Sequence, residues 1–519
     1  MDWLPILLAI PLAIFIYEVV RYFAVRWGRR RLLDSTKAFV RRHDIRLDRF
    51  KLTRRSFIKF ELLADPVVAA AVAEEARAEE VPLAWVQAQV EEWLNEIIPS
   101  FNILSYYQLG MSLTRFVVDL VYDVIVDKEE LDRVQKGLPD EAVILYLMNH
   151  RSNFDYLVVG YVLSRSIALS YAVGEWARVW PLEHLFRSFG SYFVRRGEKS
   201  PLYHKILRRY VQVVSRYGIT QGVFPEGGLT RDGHFRKPKT GLLTYVAELV
   251  CDPTFDKDIL LVPVAINYDT VLEDRVLVRE SLGDVRPPTF AEKAKSAITF
   301  LVKAPFILGA NAARVLTGRV RRHGYAAARF GEPLSLKSWL KETNIDLAAL
   351  EPKERREAVR ALAGAVMGRI GDVMPVPPVP LICLALKTLN EKATQNGGQP
   401  EAPSPPVSEG ALRAEVSRLR GQLIAKGARL VVGEEFNEVK AQRAQLEADR
   451  EDRRSGLMGM EEEMVEGEEA TRTTELALEH LVRRNLVSQS PEGIVINPGD
   501  QPTIAYYAYS ISHFLDEKP

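Results

Sequence analysis

Apolar positions recur along the chain with two different periods, and these periods predict where helices and strands form. Between residues 34 and 135, apolar residues return every three to four positions with charged residues opposite, as in LADPVVAAAVAEEARAEE and PLAWVQAQVEEWLNEIIP. This spacing predicts amphipathic helices, and Asp65 before Pro66 marks a helix start because aspartate caps free N–H groups. Further on, short apolar runs predict strands near residues 142–148, 169–173, 191–195, 219–224, 259–267 and 325–330.

The apolar run ILLVPVAINY (Ile259–Tyr268) has no polar alternation, which predicts a central parallel strand covered on both faces. Strands separated by helices indicate an α/β fold. We predict a mixed, mostly parallel sheet flanked by helices, preceded by a helical region and followed by a mainly helical accessory domain. The predicted segments are an N-terminal membrane anchor helix (1–33), a helical domain (34–135), an α/β domain (136–390), a disordered Pro- and Gly-rich linker (391–410) and a C-terminal accessory domain (411–519).

The predicted anchor is a strongly apolar stretch near the N-terminus. Trp3–Tyr17 carries no charge, and with Glu18 included the stretch reaches Val20, a borderline length because a span needs about 20 residues. Arginines follow this stretch rather than precede it, which places the following residues on the cytoplasmic side and argues against a secretory signal. A single span, an in-plane interfacial helix and a packed globular helix stay open. The expected location is the cytoplasmic (inner) membrane, with single-pass or monotopic attachment.

Charge is unevenly distributed although the net charge of the 519 residues is only +1. The region before residue 56 is basic, and residues 461–469 are acidic. Basic segments near a membrane are attracted to anionic lipid by about 1 kcal/mol per residue, so membrane phospholipids are expected partners. No base-stacking or groove-reading module accompanies the charge, and we expect no nucleic acid partner. The two distant cysteines exclude a disulfide framework, and the absence of clustered His/Cys spacing argues against a metal site.

Candidate catalytic residues follow the first buried strand of the α/β domain. The strand near residues 142–148 delivers His150 and then Asp155 at its carboxyl end, where open α/β sheets place their chemistry. A histidine can act as a general base near neutral pH, and a carboxylate can orient it. The two side chains would diverge on a regular helix, so they can meet only in a turn that enters a helix. The alternative is a structural histidine that caps a turn.

A basic, glycine-bearing loop follows a later strand, in GVFPEGGLTRDGHFRKPKTG. Its glycines let the backbone approach a ligand, and guanidinium groups pair with phosphate oxygens. A second source of cations is the strand FGSYFVRRG, whose adjacent arginines point to opposite faces, so at most one enters a shared site unless the strand has turned. The alternative for the loop is a charged surface segment. The candidate substrate-binding residues are Arg195, Arg196, Glu226, Gly227, Gly228, Thr230, Arg231, Lys237 and Lys239.

Four ordered blocks over about 120 residues resemble the bacterial membrane-bound glycerol-3-phosphate acyltransferases of the glycerolipid acyltransferase family. The blocks are NHRSNFD (Asn149–Asp155), GSYFVRR (Gly190–Arg196), FPEGGLTR with PKTG (Phe224–Arg231 and Pro238–Gly241), and VPVAINY (Val262–Tyr268). They occur in the order of that family and at similar spacing. One departure is Leu229, where many members have arginine, and Thr230 stands where serine is common.

The resemblance implies a reaction and its substrates. His150 would take the proton from the sn-1 hydroxyl of glycerol 3-phosphate while Asp155 holds the imidazole, and the alkoxide would attack an acyl thioester carried by coenzyme A or acyl carrier protein. The product would be lysophosphatidate, made for phospholipid biosynthesis without a cofactor. Glu226 would either bind acceptor hydroxyls or anchor the loop by pairing with an arginine. The alternatives are a dihydroxyacetone-phosphate or lysophosphatidate acyltransferase and, from another class, a non-catalytic membrane scaffold.

Overall fold

The computed structural model describes residues 55–99, 111–139, 141–163, 170–174, 183, 186–187, 190–195, 197–283, 322–395, 405–431 and 458–516. The predicted anchor helix (1–33) and Arg196 lie outside these ranges. Within them, no helix combines the length and apolarity that crossing a membrane requires.

Strands and helices alternate through the middle of the described chain. The strands are β1 (Asp123–Val126), β2 (Val143–Met148), β3 (Ser170–Gly174), β4 (Tyr192–Val194), β5 (Gln221–Val223), β6 (Ile259–Tyr268), β7 (Tyr325–Phe330), β8 (Leu334–Ser335), β9 (Pro375–Val376), β10 (Arg429–Leu430), β11 (Val487–Ser490) and β12 (Gly493–Ile496). The helices are α1 (Arg55–Leu63), α2 (Pro66–Ala78), α3 (Leu83–Ile97), α4 (Met111–Val121), α5 (Lys128–Lys136), α6 (Asp155–Leu163), α7 (Pro201–Arg216), α8 (Gly241–Ala247), α9 (Asp274–Ser281), α10 (Leu336–Glu342), α11 (Pro352–Asp372), α12 (Pro378–Gln395), α13 (Glu409–Ala425), α14 (Met458–Arg483) and α15 (Gln501–Ser512).

An eight-stranded sheet forms the centre of the fold, in the order β1-β7-β6-β2-β5-β3-β4, with β8 paired to β6. Neighbours run parallel except at β6, which pairs antiparallel with β7 and β8. The predicted mixed, mostly parallel α/β fold is confirmed. Because β2, β4, β5 and β6 all run in one direction, their carboxyl ends lie at the same edge of the sheet, and the segment after each begins there.

Helices before the sheet brace its β4 side. In α2, the predicted start is confirmed, because Asp65 accepts hydrogen bonds from the N–H groups of Val67 and Val68. The buried face of α3 includes Trp93, whose ring meets the ring of Tyr203 in α7 edge to face at 5.5 Å. One expectation is wrong here: the region to residue 135 is not wholly helical, because DVIV forms β1 and extends the sheet by pairing with β7. Four residues are too few for periodicity to show a strand.

The C-terminal part packs on the α/β domain through α12 and α15, which lie against each other, while α15 also contacts α9. The ends of the predicted disordered linker are ordered: α12 continues through Gln395, and Val407 exchanges two backbone hydrogen bonds with Ile494. Val407 is buried, so it gains contacts that a composition-based prediction does not include, and α12 extends into the predicted linker from a buried segment that ends near Leu386. The remaining segment boundaries stay predictions.

Candidate active site

The first block forms a tight turn between β2 and α6. His150 follows the carboxyl end of β2, and α6 begins at Asp155, so the two residues flank the turn. His150 Nδ1 lies 2.9 Å from Asp155 Oδ2, and both side chains are buried. Asn149 holds the turn against β6, donating to the Ile266 carbonyl at 2.9 Å and accepting from the Ile266 N–H at 2.7 Å. The expectation that the pair meets in a turn entering a helix is confirmed.

Donors surround the Asp155 carboxylate. Oδ2 also accepts the backbone N–H groups of Arg151 at 2.8 Å and Ser152 at 3.1 Å, and Oδ1 accepts the Tyr268 hydroxyl at 2.6 Å. These bonds fix the carboxylate so that it faces Nδ1 of His150. The opposite ring nitrogen, Nε2, is then the atom that can receive a substrate proton.

Aromatic rings fix the plane of the His150 imidazole. Phe224, which directly follows β5, stacks on the imidazole at 4.2 Å, and Tyr156 meets it edge to face at 5.6 Å. Packing from two sides restricts rotation of the ring, so the direction of Nε2 is set before substrate arrives.

Glu273, which sequence analysis did not identify, holds the turn from outside. Its carboxylate accepts the Ser152 hydroxyl at 2.8 Å, and the backbone N–H and side-chain amide of Asn153 at 3.2 and 3.1 Å. Burial raises the pKa of Glu273. No signal in the sequence relates this glutamate to a turn that lies 120 residues earlier.

Glu226 connects the glycine loop to the catalytic turn. Oε1 accepts the His150 N–H at 2.8 Å, and Oε2 accepts the Arg236 N–H at 2.9 Å. The side chain is 2% exposed, and burial raises its pKa to about 7. Each oxygen accepts one backbone N–H, so Glu226 anchors the loop to the catalytic turn, and its assignment to substrate binding stays a prediction. It acts through backbone amides rather than through the arginine side chain that the second alternative assumed.

Thr230 is a second internal contact of the loop. Its N–H donates to the His150 carbonyl at 3.0 Å, and its hydroxyl donates to the His234 carbonyl at 2.7 Å. The hydroxyl also accepts the Gly233 N–H at 3.1 Å. Thr230 is buried, and its assignment to substrate binding stays a prediction. Because the Thr230 backbone contacts the catalytic turn, the next residue, Arg231, begins close to that turn.

The two loop glycines lie under the loop's own cations. Gly227 has φ of +65°, and a Cβ there would lie 2.6 Å from the Lys239 side chain. A Cβ on Gly228 would lie 2.9 Å from the Arg236 guanidinium. Lys237 and Lys239 are exposed. The positive φ of Gly227 favours glycine, and at both glycines the cationic side chains lie close over the backbone, so the loop presents positive charge near the catalytic turn.

Both described candidate arginines already contact a carboxylate. Arg231 Nε lies 2.8 Å from Glu280 Oε2 in α9, and the Arg231 side chain is 44% exposed. Arg195 binds Glu96 of α3 through Nε at 2.9 Å and a terminal nitrogen at 2.6 Å. These hydrogen bonds raise the pKa of Arg195. Arg195 therefore connects the end of β4 to the helical region, and its assignment to substrate binding stays a prediction.

No metal cluster accompanies the site: within the described ranges, no three His, Cys, Asp or Glu side chains are grouped to hold an ion. The arrangement offers a fixed base, an orienting acid and a cationic loop. Those groups suffice chemically to deprotonate a hydroxyl on an anionic molecule.

Comparison with known proteins agrees with this geometry. Residues 126–267 match the Acyltransferase family, and residues 312–397 match the glycerol-3-phosphate acyltransferase C-terminal region. The chain is 28% identical over 344 residues to a glycerol-3-phosphate acyltransferase of Aeromonas hydrophila subsp. hydrophila, covering 65% of this chain and 40% of that protein. It is 29% identical over 349 residues to one of Pseudomonas entomophila, covering 66% and 39%. The chain thus spans about two fifths of the length of these curated relatives.

A solved structure, that of a 1-acyl-sn-glycerophosphate acyltransferase from Thermotoga maritima, covers 50% of this chain and 76% of its own at 16% identity, with a TM-score of 0.28. A score this low carries no structural argument. The matched Acyltransferase region contains the His150–Asp155 turn and the glycine loop, and ends one residue before Tyr268. Residues 126–267, which contain this site, therefore match the Acyltransferase family, and the four sequence blocks of the chain resemble the glycerolipid acyltransferases.

Proposed function

We propose that this protein is a glycerol-3-phosphate 1-O-acyltransferase, which transfers a fatty acyl group from a thioester to the sn-1 hydroxyl of glycerol 3-phosphate. The observation that carries the proposal is the direct connection between the His150–Asp155 pair and the cationic loop. Glu226 and Thr230 bind the backbone of His150 from two sides, so a base and a phosphate-attracting segment move as one unit. The matched relatives bear the name of this activity.

The chemistry follows from the fixed imidazole. Nε2 of His150 removes the hydroxyl proton as the oxygen attacks the thioester carbonyl, and Asp155 stabilises the imidazolium that forms. Collapse of the tetrahedral intermediate breaks the carbon–sulfur bond, and the departing thiolate takes the proton from the imidazolium. The products are lysophosphatidate and the free thiol of coenzyme A or acyl carrier protein, and no cofactor takes part.

The acceptor's phosphate binds the cationic side of the loop. Arg231, Lys237 and Lys239 supply exposed charge there. Phosphate accepts paired hydrogen bonds from a guanidinium, as a carboxylate does, so it can replace Glu280 on Arg231. The acyl chain enters from the cytoplasmic membrane, to which the Trp3–Tyr17 stretch attaches the protein as a span or an in-plane helix, with the catalytic domain on the cytoplasmic side.

A radiolabelled acyl-transfer assay tests the proposal. Glycerol 3-phosphate, dihydroxyacetone phosphate and lysophosphatidate are each supplied with acyl-coenzyme A and with acyl-acyl carrier protein. We expect glycerol 3-phosphate to be the preferred acceptor. Preference for another acceptor would replace the proposal with that activity, and absence of transfer with every pair would favour a scaffold.

The His150→Ala variant tests the mechanism in the same assay. Loss of the base is expected to reduce turnover by roughly 10²–10⁴-fold with the fold retained. His204→Ala, which removes an exposed histidine on α7, is the matched control and should retain activity. An unchanged rate in His150→Ala would remove the enzymatic role of the pair.

A further inference from the structure

Tyr268, the last residue of β6, contacts the acid of the catalytic pair. Strand β6 lies beside β2 and runs parallel to it, so the end of β6 reaches the turn that carries His150. The Tyr268 hydroxyl donates to Asp155 Oδ1 at 2.6 Å, the shortest of the hydrogen bonds to that carboxylate. An O–H donor to a charged oxygen at this distance forms a strong hydrogen bond.

The surroundings of Tyr268 restrict it to the role of a donor. Its side chain is fully buried, and its ring packs on that of Tyr122 at 5.2 Å. The Tyr122 hydroxyl donates to the Thr270 carbonyl at 2.7 Å, which fixes the supporting ring. Burial, reinforced by the charge of Asp155, raises the pKa of Tyr268 well above its usual value. The phenol therefore keeps its proton across the working pH range and cannot serve as an acid or base.

The two oxygens of Asp155 are unequally supported. Oδ2 accepts His150 and two backbone N–H groups, whereas Oδ1 accepts the Tyr268 hydroxyl. A donor at Oδ1 draws negative charge away from the oxygen that faces the imidazole. The strength of that donor therefore affects how strongly the carboxylate stabilises an imidazolium.

We propose that Tyr268 is a positioning residue that sets how tightly the His150–Asp155 pair holds its proton. Without the hydroxyl, negative charge concentrates on Oδ2 and the pair binds a proton more tightly, whichever member carries it. In that case the pair would keep its proton, and could not accept one from the substrate, up to a higher pH.

Other titratable groups face the pair from the elements packed around it. Those on the neighbouring segments are Tyr122, Arg151, Tyr156, Glu226, Glu273 and Tyr506. A change confined to the Tyr268 hydroxyl leaves all of them in place. The acceptor's phosphate also titrates near pH 6, but it is common to every variant. A difference between variants in the pH dependence therefore reports on the hydroxyl.

The test compares the pH dependence of kcat for the full chain and for Tyr268→Phe at saturating substrates. This inference rests on the proposed function, because it needs an active wild type. We expect the acidic limb of the kcat–pH profile to move to higher pH by about one unit. Loss of a hydrogen bond to a charged group typically changes the pKa by about that amount or more. The plateau at alkaline pH should fall by less than about tenfold, because the imidazole keeps its other contacts.

Tyr192→Phe is the matched control. Tyr192 is a buried tyrosine of the same sheet, in β4, and its hydroxyl donates to Gln221 at 3.2 Å. Removal of the Tyr192 hydroxyl should leave the acidic limb of the kcat–pH profile at the same pH as in the wild type. A limb that stays in place in Tyr268→Phe, or that moves equally in Tyr192→Phe, would overturn the inference while leaving the acyltransferase activity intact. An inactive wild type would instead remove the proposed function.

A second variant keeps the inference testable if Tyr268→Phe does not fold. Fluorotyrosine placed at position 268 keeps the shape and the hydrogen bond but donates more strongly, because fluorine acidifies the phenol. The stronger donor should draw more charge from Oδ2 and move the acidic limb to lower pH. Movement in the opposite direction, or none, would contradict the role proposed for the hydroxyl.

Discussion

Replacing Glu226 with glutamine should change how stability depends on pH, because burial raises the pKa of the wild-type carboxyl. The pKa of Glu226 is raised from 4.5 to about 7. The folded protein therefore keeps this carboxyl protonated at pH values where the unfolded chain releases the proton. Its stabilising contribution is fully present below pH 4.5 and is lost as the pH rises through about 7.

The magnitude follows from that interval. At about 1.4 kcal/mol per pH unit, the wild type loses about 3 kcal/mol of unfolding free energy from this group. About 2 kcal/mol of it falls between roughly pH 5.5 and pH 7.5. Glutamine does not titrate, so Glu226→Gln should lack this loss. Its unfolding free energy should instead be lower by about 1–3 kcal/mol at every pH, because the amide nitrogen of glutamine cannot accept one of the two N–H groups that Glu226 binds.

Denaturant unfolding of the full chain, followed by tryptophan fluorescence from about pH 5 to pH 8, measures the difference. The wild type should be more stable than Glu226→Gln at the acidic end, and the two should converge or cross near the alkaline end. Glu357→Gln, at an exposed glutamate of α11, is the control and should run parallel to the wild type. A constant gap between wild type and Glu226→Gln would refute the reasoning, since it would mean that folding leaves the ionisation of Glu226 unchanged.

Further variants test the arginines. Arg231→Ala should raise KM for glycerol 3-phosphate about tenfold or more with little change in kcat, because phosphate binding is similar in the ground and transition states. Glu280→Gln should lower that KM, since it frees Arg231; steady-state kinetics with varied acceptor measure both, and a fall in kcat at constant KM would contradict the assignment. Arg195→Ala should lower the unfolding free energy by about 2 kcal/mol, because Glu96 loses a paired donor, with acceptor KM unchanged. A raised KM in Arg195→Ala would return this residue to the substrate site.

The fold was predictable wherever a pattern was long enough to repeat. The ten apolar residues of β6 and the six of β2 give clear strands, and both form where the sequence predicts them. Strand β1 escaped prediction because four residues do not establish a period, and its place in the sheet depends on pairing with β7, about 200 residues later. The ordered ends of the linker were missed for a related reason. Val407 is buried and pairs with Ile494, about 90 residues later, and local composition carries no record of that contact.

The candidate site divides in the same way. His150 and Asp155 could be identified because one strand end and one turn contain both. The role of Glu226 could not, since a carboxylate in a glycine loop suits either substrate or backbone amides. Glu273 and Tyr268 reach the turn from beyond residue 265, and only the pairing of β6 with β2 brings them there. Sequence therefore identified the reacting groups, whereas the groups that orient them required the sheet.

The ion pairs explain why two arginines of similar sequence context should serve different purposes. Arg195 makes two hydrogen bonds to Glu96 from a side chain that is 27% exposed, so replacing either residue would remove both bonds from a partly dry interface. Arg231 makes a single contact to Glu280 from a more exposed position, where water can replace either partner and the pair contributes about 0–1 kcal/mol. A phosphate carries more negative charge than a carboxylate and accepts paired hydrogen bonds, so it can displace Glu280 at small cost. This difference in burial and geometry explains why we expect a phosphate to exchange with Glu280 at Arg231, whereas the pair of Arg195 and Glu96 should persist.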